Sequence, residues 1–224
     1  MLFHLKSAVS ADVCADICSS LSRARFVDGA ATSADKEGGV KYNLQLPLGD
    51  SLGQQISKTV GEALRQHKEF MGVAWPRRMT PPRVNRYDVG MYYREHLDSA
   101  IMGGATNLLR TDLAMTLFLN DAKEYEGGDL TVVMDGELRS SRGDAGDVLV
   151  YPAGCLHSVS EVTAGSRLVA VAWIESQIRD SAKRLALYDL DKALDMLDGE
   201  GGDRDSQLLL KQLRGRLLRM WIEP

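Results

Sequence analysis

The chain is expected to adopt an α+β fold, with a jelly-roll or sandwich β core and helices before and after it. Three observations point there. Apolar residues recur at helical spacing up to about residue 80. Between about 82 and 175 that period stops, and short β-rich runs bounded by Gly, Pro, Asp and Asn replace it. Beyond 177 the helical period returns. Many short strands at this spacing favour a closed or double-layered antiparallel sheet over a βαβ sheet.

Taken in order, Ser10 can cap a helix whose apolar residues Val13, Ile17 and Leu21 recur every four positions. Cys14 and Cys18 share that spacing and are read as small core residues rather than a metal or redox pair. A second helix is expected from about Ser51 to Met71, with Leu52, Ile56, Val60, Ala63 and Leu64 as its buried stripe. Candidate strands follow at Arg83–Tyr87, Leu113–Leu119, Leu130–Met134, Glu137–Ser140, Asp147–Tyr151, His157–Val162 and Arg167–Ile174. Asp135-Gly136 is a two-residue hairpin signal, because both positions of that turn need φ > 0. Leu187, Leu190, Leu194 and Leu197 mark a further helix, which Gly199-Glu200-Gly201-Gly202-Asp203 should break. A last helix carries Leu210, Leu213, Leu217 and Trp221 on one face. That stripe is too apolar to face water and should seat on the barrel or on a second copy of the chain, so a homo-oligomer through these helices is one of two outcomes. The organisation is therefore N-terminal helices and strands packed on the core (1–80), the jelly-roll core (81–176) and a C-terminal helical extension (177–224).

At 44% apolar and 26% charged residues, the composition is that of an ordinary globular protein. The net charge of −4 leaves no basic footprint for nucleic acid and no attraction to anionic membranes. The start of the chain lacks a basic segment followed by a long apolar run, and no stretch of 18 apolar residues exists to span a bilayer. Three cysteines are no disulfide framework. A soluble protein of a reducing cytoplasm is expected.

His96-Leu97-Asp98 is the first chemical signal. Residues two apart in extended chain point to one side, so an imidazole and a carboxylate reach toward one point. His157 follows the turn Pro152-Ala153-Gly154 and opens a β run, so a barrel can bring it opposite His96. Two histidines and a carboxylate on one face hold non-haem Fe(II) with positions left open; zinc binds the same types, and His157 can equally just begin a strand. Arg167 sharpens the choice. It shares its strand face with Val169, Val171 and Trp173, and the opposite row, Leu168, Ala170, Ala172 and Ile174, is apolar too. A guanidinium buried there needs an anion, and no acid lies nearby on the strand. A dicarboxylate cosubstrate would supply one, since arginine binds carboxylates with two parallel hydrogen bonds. A structural salt bridge is the alternative.

Tyr87 to Asp98 reads Y-x-x-G-x-x-Y-x-x-H-x-D. This resembles the metal-binding stretch of prolyl-hydroxylase-like Fe(II)/2-oxoglutarate dioxygenases. Downstream, Arg110-Thr111-Asp112-Leu113, Thr116-Leu117-Phe118-Leu119, Tyr125-Glu126-Gly127-Gly128-Asp129-Leu130, Gly146-Asp147-Val148-Leu149-Val150-Tyr151-Pro152 and Leu156-His157 resemble the PKHD-type hydroxylases, as does the tail Trp173-Ile174-Glu175-Ser176-Gln177-Ile178-Arg179-Asp180. The likeness runs over essentially the whole chain. It implies a double-stranded β-helix (jelly-roll) core, with His96, Asp98 and His157 as iron ligands and Arg167 on the distal carboxylate of 2-oxoglutarate. It also implies that Tyr87 hydrogen-bonds the cosubstrate, with core packing as the competing role, and that Tyr93 lines the pocket or packs. The implied cofactors are Fe(II), 2-oxoglutarate, O₂ and ascorbate (vitamin C) as reductant. The implied reaction is hydroxylation of a peptidyl prolyl or lysyl side chain, with 2-oxoglutarate converted to succinate and CO₂. A free small molecule linked to iron uptake is the second substrate class, and a non-catalytic, cupin-like metal-binding or sensor protein the third reading. Arg94-Glu95 departs from the family pattern, and its charges are expected at the pocket mouth. Met102-Gly103-Gly104 is a lid or a plain turn, and Cys155 a structural thiol or a group reactive beside the iron.

Overall fold

The computed structural model describes residues 1–32, 39–104, 106–199 and 203–223. Of the expected helix breaker at 199–203, residues 200–202 lie outside them. In chain order come β1 (Phe3–Leu5), α1 (Ala11–Leu21), β2 (Val27–Asp28), β3 (Lys41–Tyr42), β4 (Leu44–Gln45), α2 (Ser51–Gln66), α3 (Lys68–Ala74) and β5 (Pro76–Met79). There follow β6 (Arg83–Asp88), β7 (Tyr92–His96), β8 (Ile101–Met102), β9 (Leu109–Arg110), β10 (Leu113–Phe118), β11 (Tyr125–Gly127), β12 (Leu130–Met134) and β13 (Glu137–Ser141). The chain ends with β14 (Val148–Pro152), β15 (His157–Val159), β16 (Val162–Ser176), α4 (Ser181–Gly199) and α5 (Arg204–Trp221).

Local chemistry explains the main boundaries. The Ser10 side chain accepts from the Val13 N–H and starts α1. The single helix expected over 51–71 is divided into α2 and α3. His67 leaves helical geometry at φ −81° and ψ 108°, and its Nδ1 accepts from the Phe70 N–H at 3.1 Å, so this side chain caps α3. The hairpin at Asp135-Gly136 forms as expected, with φ of 54° and 79° and Met134 opposite Glu137. The β run expected over 157–162 is two strands, because pairing of β15 ends at Val159 and β16 begins at Val162. The very short strands β1 to β4, β8, β9 and β11 carry too few residues for a period-2 pattern; their partners make them strands.

Two antiparallel sheets form the β core. The larger has the path β1-β14-β10-β16-β6-β4-β2, with β5 and β11 also on β16, and the smaller runs β13-β12-β15-β7-β3. Strands from before residue 80 thus belong to the same sheets as those after it. On the outer face of the large sheet, Ile17, Val60, Leu64 and Phe70 from the helices pack against Leu113, Met115, Leu117 and Ile174. Tyr87, Phe118, Leu149 and Val169 of the large sheet meet Leu130, Val132 and Val159 of the small one in the interior. Strand β10 is buried at every position because both its faces are covered.

The C-terminal pair differs from expectation. Helix α5 packs on α4 rather than on the barrel, and none of its residues is fully buried. Leu213, placed in the buried stripe by spacing, is 41% exposed; Arg214 turns inward instead, pairs with Asp191 and lies over the Trp75 ring. Cys14 and Cys18 pack in the helical core, where burial pushes their thiols up to about 12 and about 11 and leaves them inert. Among the described residues no helix is long and apolar enough to cross a membrane.

Candidate metal centre and cosubstrate pocket

The register of the small sheet builds the centre. Strand β15 pairs antiparallel with β7 so that His157 stands opposite His96, and Asp98 follows two residues beyond. The imidazole rings are 4.1 Å apart, and Asp98 Oδ2 is 3.7 Å from His157 Nε2. One donor atom from each of the three residues lies within 4.8 Å of the others, the spacing of a metal site. This is the one such group among the described residues, and the Cys155 thiol is not in it.

Backbone carbonyls fix both imidazoles. His96 Nδ1 is 2.8 Å from the Arg94 carbonyl oxygen and His157 Nδ1 is 2.9 Å from that of Cys155. A carbonyl only accepts, so each Nδ1 carries the proton and each Nε2 presents a lone pair to the shared point. Cys155 therefore bears on the site through its carbonyl, which no pattern of side chains could reveal. Burial, with His157 adding to it, pushes His96 down to about 4, so its ring is neutral and ready to ligate at neutral pH. Burial raises the Asp98 carboxyl, with opposing pulls from His157 and Lys41. Tyr93 stacks flat on His96 at 3.5 Å and lines the cavity.

A cavity of about 440 Å³ opens from these donors into the space between the sheets. Arg167 lies on its inner wall, 1% exposed. Its guanidinium sits 5.1 Å from the Tyr87 ring and 5.5 Å from the Phe118 ring, and its Nε is buried with no hydrogen-bond partner. No acid among the described residues forms an ion pair with it. Tyr87 is 3% exposed and also lines the cavity; burial raises its phenol, which keeps the O–H as a donor.

Residues 82–175 match the 2OG-Fe(II) oxygenase superfamily. The chain is 38% identical to a PKHD-type hydroxylase of Stenotrophomonas maltophilia and 37% identical to one of Klebsiella pneumoniae, each over the full length of both proteins. The chain belongs to the PKHD-type hydroxylase family of 2OG-Fe(II) oxygenases. As a member of this family it is an oxygenase, and membership implies Fe(II), 2-oxoglutarate and O₂. Its fold is similar to that of a prolyl hydroxylase from Trichoplax adhaerens (TM-score 0.60, 14% identity, 83% of this chain and 86% of that one). It also resembles a Pseudomonas putida prolyl-4-hydroxylase (TM-score 0.54, 19% identity, 78% and 92%). These likenesses fit a jelly-roll core. The donor set suits the metal: two neutral imidazoles and one carboxylate leave coordination positions open. The Arg167 guanidinium, with no ion pair among the described residues and an unpartnered Nε, suits the free carboxylate of the cosubstrate.

Several cavity residues were not singled out by the sequence. Lys41, Arg83, Asn85, Thr116 and Tyr151 all line it, brought there by strands far apart in the chain. Arg94 and Glu95 are exposed and do not line it, contrary to expectation. Pairing of β7 with β15 shifts register between Tyr93 and His96, so both of these face the cavity while Arg94 lies over the Tyr92 ring. The charge at the mouth comes from Lys41 and Arg83. Met102 and Gly103 border the cavity at the turn of the β8–β9 hairpin, where Gly103 has φ +99° and a Cβ would stand 2.1 Å from the Asn107 carbonyl oxygen. Only glycine fits that turn.

Proposed function

We propose that this oxygenase hydroxylates a substrate, a peptidyl prolyl or lysyl side chain in the first instance, while 2-oxoglutarate is converted to succinate and CO₂. The observation that carries the reading is Arg167: a fully buried guanidinium without an acidic partner, in the same cavity as the His96, Asp98 and His157 donors. A buried charge of this kind is costly unless a ligand completes it.

In this reading His96 Nε2, His157 Nε2 and the Asp98 carboxylate hold Fe(II). When bound, the metal and 2-oxoglutarate supply the oxidation itself. The chain orients and shields. Arg167 pins the distal carboxylate through two parallel hydrogen bonds, and the Tyr87 O–H donates to the same group. Val169 and Leu130 keep that end of the cavity apolar, which strengthens the charge pair. The Arg94 and Cys155 carbonyls hold the two imidazoles in the ligating tautomer. Ascorbate would serve as reductant. The test is succinate formation on adding Fe(II) and 2-oxoglutarate to the protein in air, its stimulation by prolyl and lysyl peptides, and the mass of those peptides afterwards. Failure to form succinate under these conditions refutes the reading; succinate with no peptide gaining one oxygen moves the substrate to the free small molecules.

A further inference from the structure

Among the described residues, two cations that line the cavity form no ion pair with an acid. Lys41 comes from the small sheet, where β3 pairs it with Tyr93 on β7. Arg83 comes from the large sheet, opposite Val171 on β16. Both are half-buried and both line the cavity. Lys41 Nζ donates to the Thr32 hydroxyl at 2.9 Å and lies 5.3 Å from the Tyr93 ring. Among the described residues neither cation is in an ion pair, and Arg83 has no hydrogen-bond partner for its guanidinium. Elsewhere half-exposed cations do find acids, as with Arg142 and Asp129 at 3.0 Å.

The two charges also oppose each other. Burial, then repulsion from Arg83, brings the Lys41 ammonium down to about 8. Asp98 and, after it, Asp28 pull the other way; Asp28 does not line the cavity, and in the proposed reading Asp98 is committed to the metal. Arg167 is answered there by the distal carboxylate of 2-oxoglutarate. Lys41 and Arg83 are left over. Like charges brought together in partial burial are unfavourable on their own, and a guest anion turns that cost into affinity. The buried side chain of Asn85, with an unpartnered Oδ1, stands between Arg83 and Tyr87 on β6 and separates the two ends of the cavity.

We propose that Lys41 and Arg83 form an oxyanion subsite at the mouth of the cavity, and that the molecule hydroxylated carries a carboxylate or phosphate group that docks there. The identity of that molecule as the one oxidised rests on the function proposed above; the subsite itself does not. An acidic peptide and a small organic acid or phosphate ester share the chemistry. A neutral or cationic substrate does not.

The test uses the full chain loaded with Fe(II) and 2-oxoglutarate without oxygen, so that the Arg167 end is filled. Sulfate, standing for phosphate, and acetate, standing for carboxylate, are titrated by calorimetry. Wild type is expected to bind one of them saturably, and the preferred one names the group. Arg83→Met and Lys41→Met should each weaken that binding about tenfold or more, whereas Arg139→Met, on the remote strand β13, should not. Removing an unanswered cation should also leave the melting temperature of Arg83→Met at or above wild type. No saturable binding of either anion, or binding that both variants leave unchanged, overturns the subsite. A lowered melting temperature in Arg83→Met would reveal a structural ion pair and overturn it too. A protein that forms succinate yet binds neither anion loses only the subsite; one that binds sulfate yet never forms succinate loses only the proposed reaction.

Discussion

Among the described residues two arginines are almost wholly buried, one in each of two regions; the Nε of each lacks a partner, but what meets the rest of the guanidinium differs. Arg184 lies in the C-terminal helix pair at 3% exposure, and its Nη1 donates to the carbonyls of Ile178 and Arg179 at 2.6 and 2.8 Å. Those carbonyls belong to the chain entering α4, so the guanidinium ties a connection to a helix. Arg167 lies in the cavity wall at 1% exposure, flanked by aromatic rings and without an acid. The C-terminal region pairs its other charges at the surface, as with Lys192 and Glu69 at 2.9 Å, and leaves Leu209 and Met220 in water. The cavity wall buries charge that forms no ion pair among the described residues. A buried cation whose donors end on backbone carbonyls is a structural group; one with no answer in the chain points to a ligand.

The largest test of this contrast is at the metal centre. His96→Ala, Asp98→Ala and His157→Ala should each abolish succinate formation and weaken Fe(II) binding, while the melting temperature stays near wild type because the three side chains line a cavity. Full turnover in any of them would remove that residue from the centre. Arg167→Ala comes next. Truncating one partner of a buried charge pair costs about 3–5 kcal/mol, or roughly a hundredfold or more in 2-oxoglutarate affinity, with Fe(II) affinity nearly intact. Arg167→Lys should fall between, since it keeps the charge and loses the planar fork. Anaerobic titration of cosubstrate into the iron-loaded protein reads both, and unchanged affinity in Arg167→Ala would make this arginine structural after all. Arg184→Met should do the reverse. Leaving two carbonyls without their donor should lower stability by about 1–3 kcal/mol, seen in denaturant unfolding, with 2-oxoglutarate affinity unchanged; a cosubstrate defect there would erase the distinction between the two regions. The smallest effect on the site should come from deleting residues 203–224. Fe(II) and 2-oxoglutarate affinities should stay within about twofold, because α5 touches α4 and not the cavity, while light scattering should show the uncovered apolar face of α4 driving association. A soluble, equally stable truncation would show that α5 covers nothing that matters.

Where the sequence pattern was strong, structure followed it. The stripe of Ile56, Val60 and Leu64, the hairpin at Asp135-Gly136 and the alternation around Arg167 each depend on neighbours in the chain, and each is where spacing put it. Where burial depends on a partner remote in sequence, spacing misled. Leu213 and Arg214 exchanged roles because the face α5 presents is chosen by α4 and Trp75. His67 divides a helix because its ring accepts from the next turn, a choice the apolar period could not register.

By itself the sequence determined the helical flanks, the antiparallel β centre and the candidates His96, Asp98, His157 and Arg167, because residue type and local period carry that information directly. The tertiary structure alone decided that His157 stands opposite His96, that two carbonyls orient their rings, and that Lys41 and Arg83 line one cavity from different sheets. Strand register and sheet-on-sheet packing set these meetings. They arise from pairings between segments tens of residues apart, for which no local pattern exists.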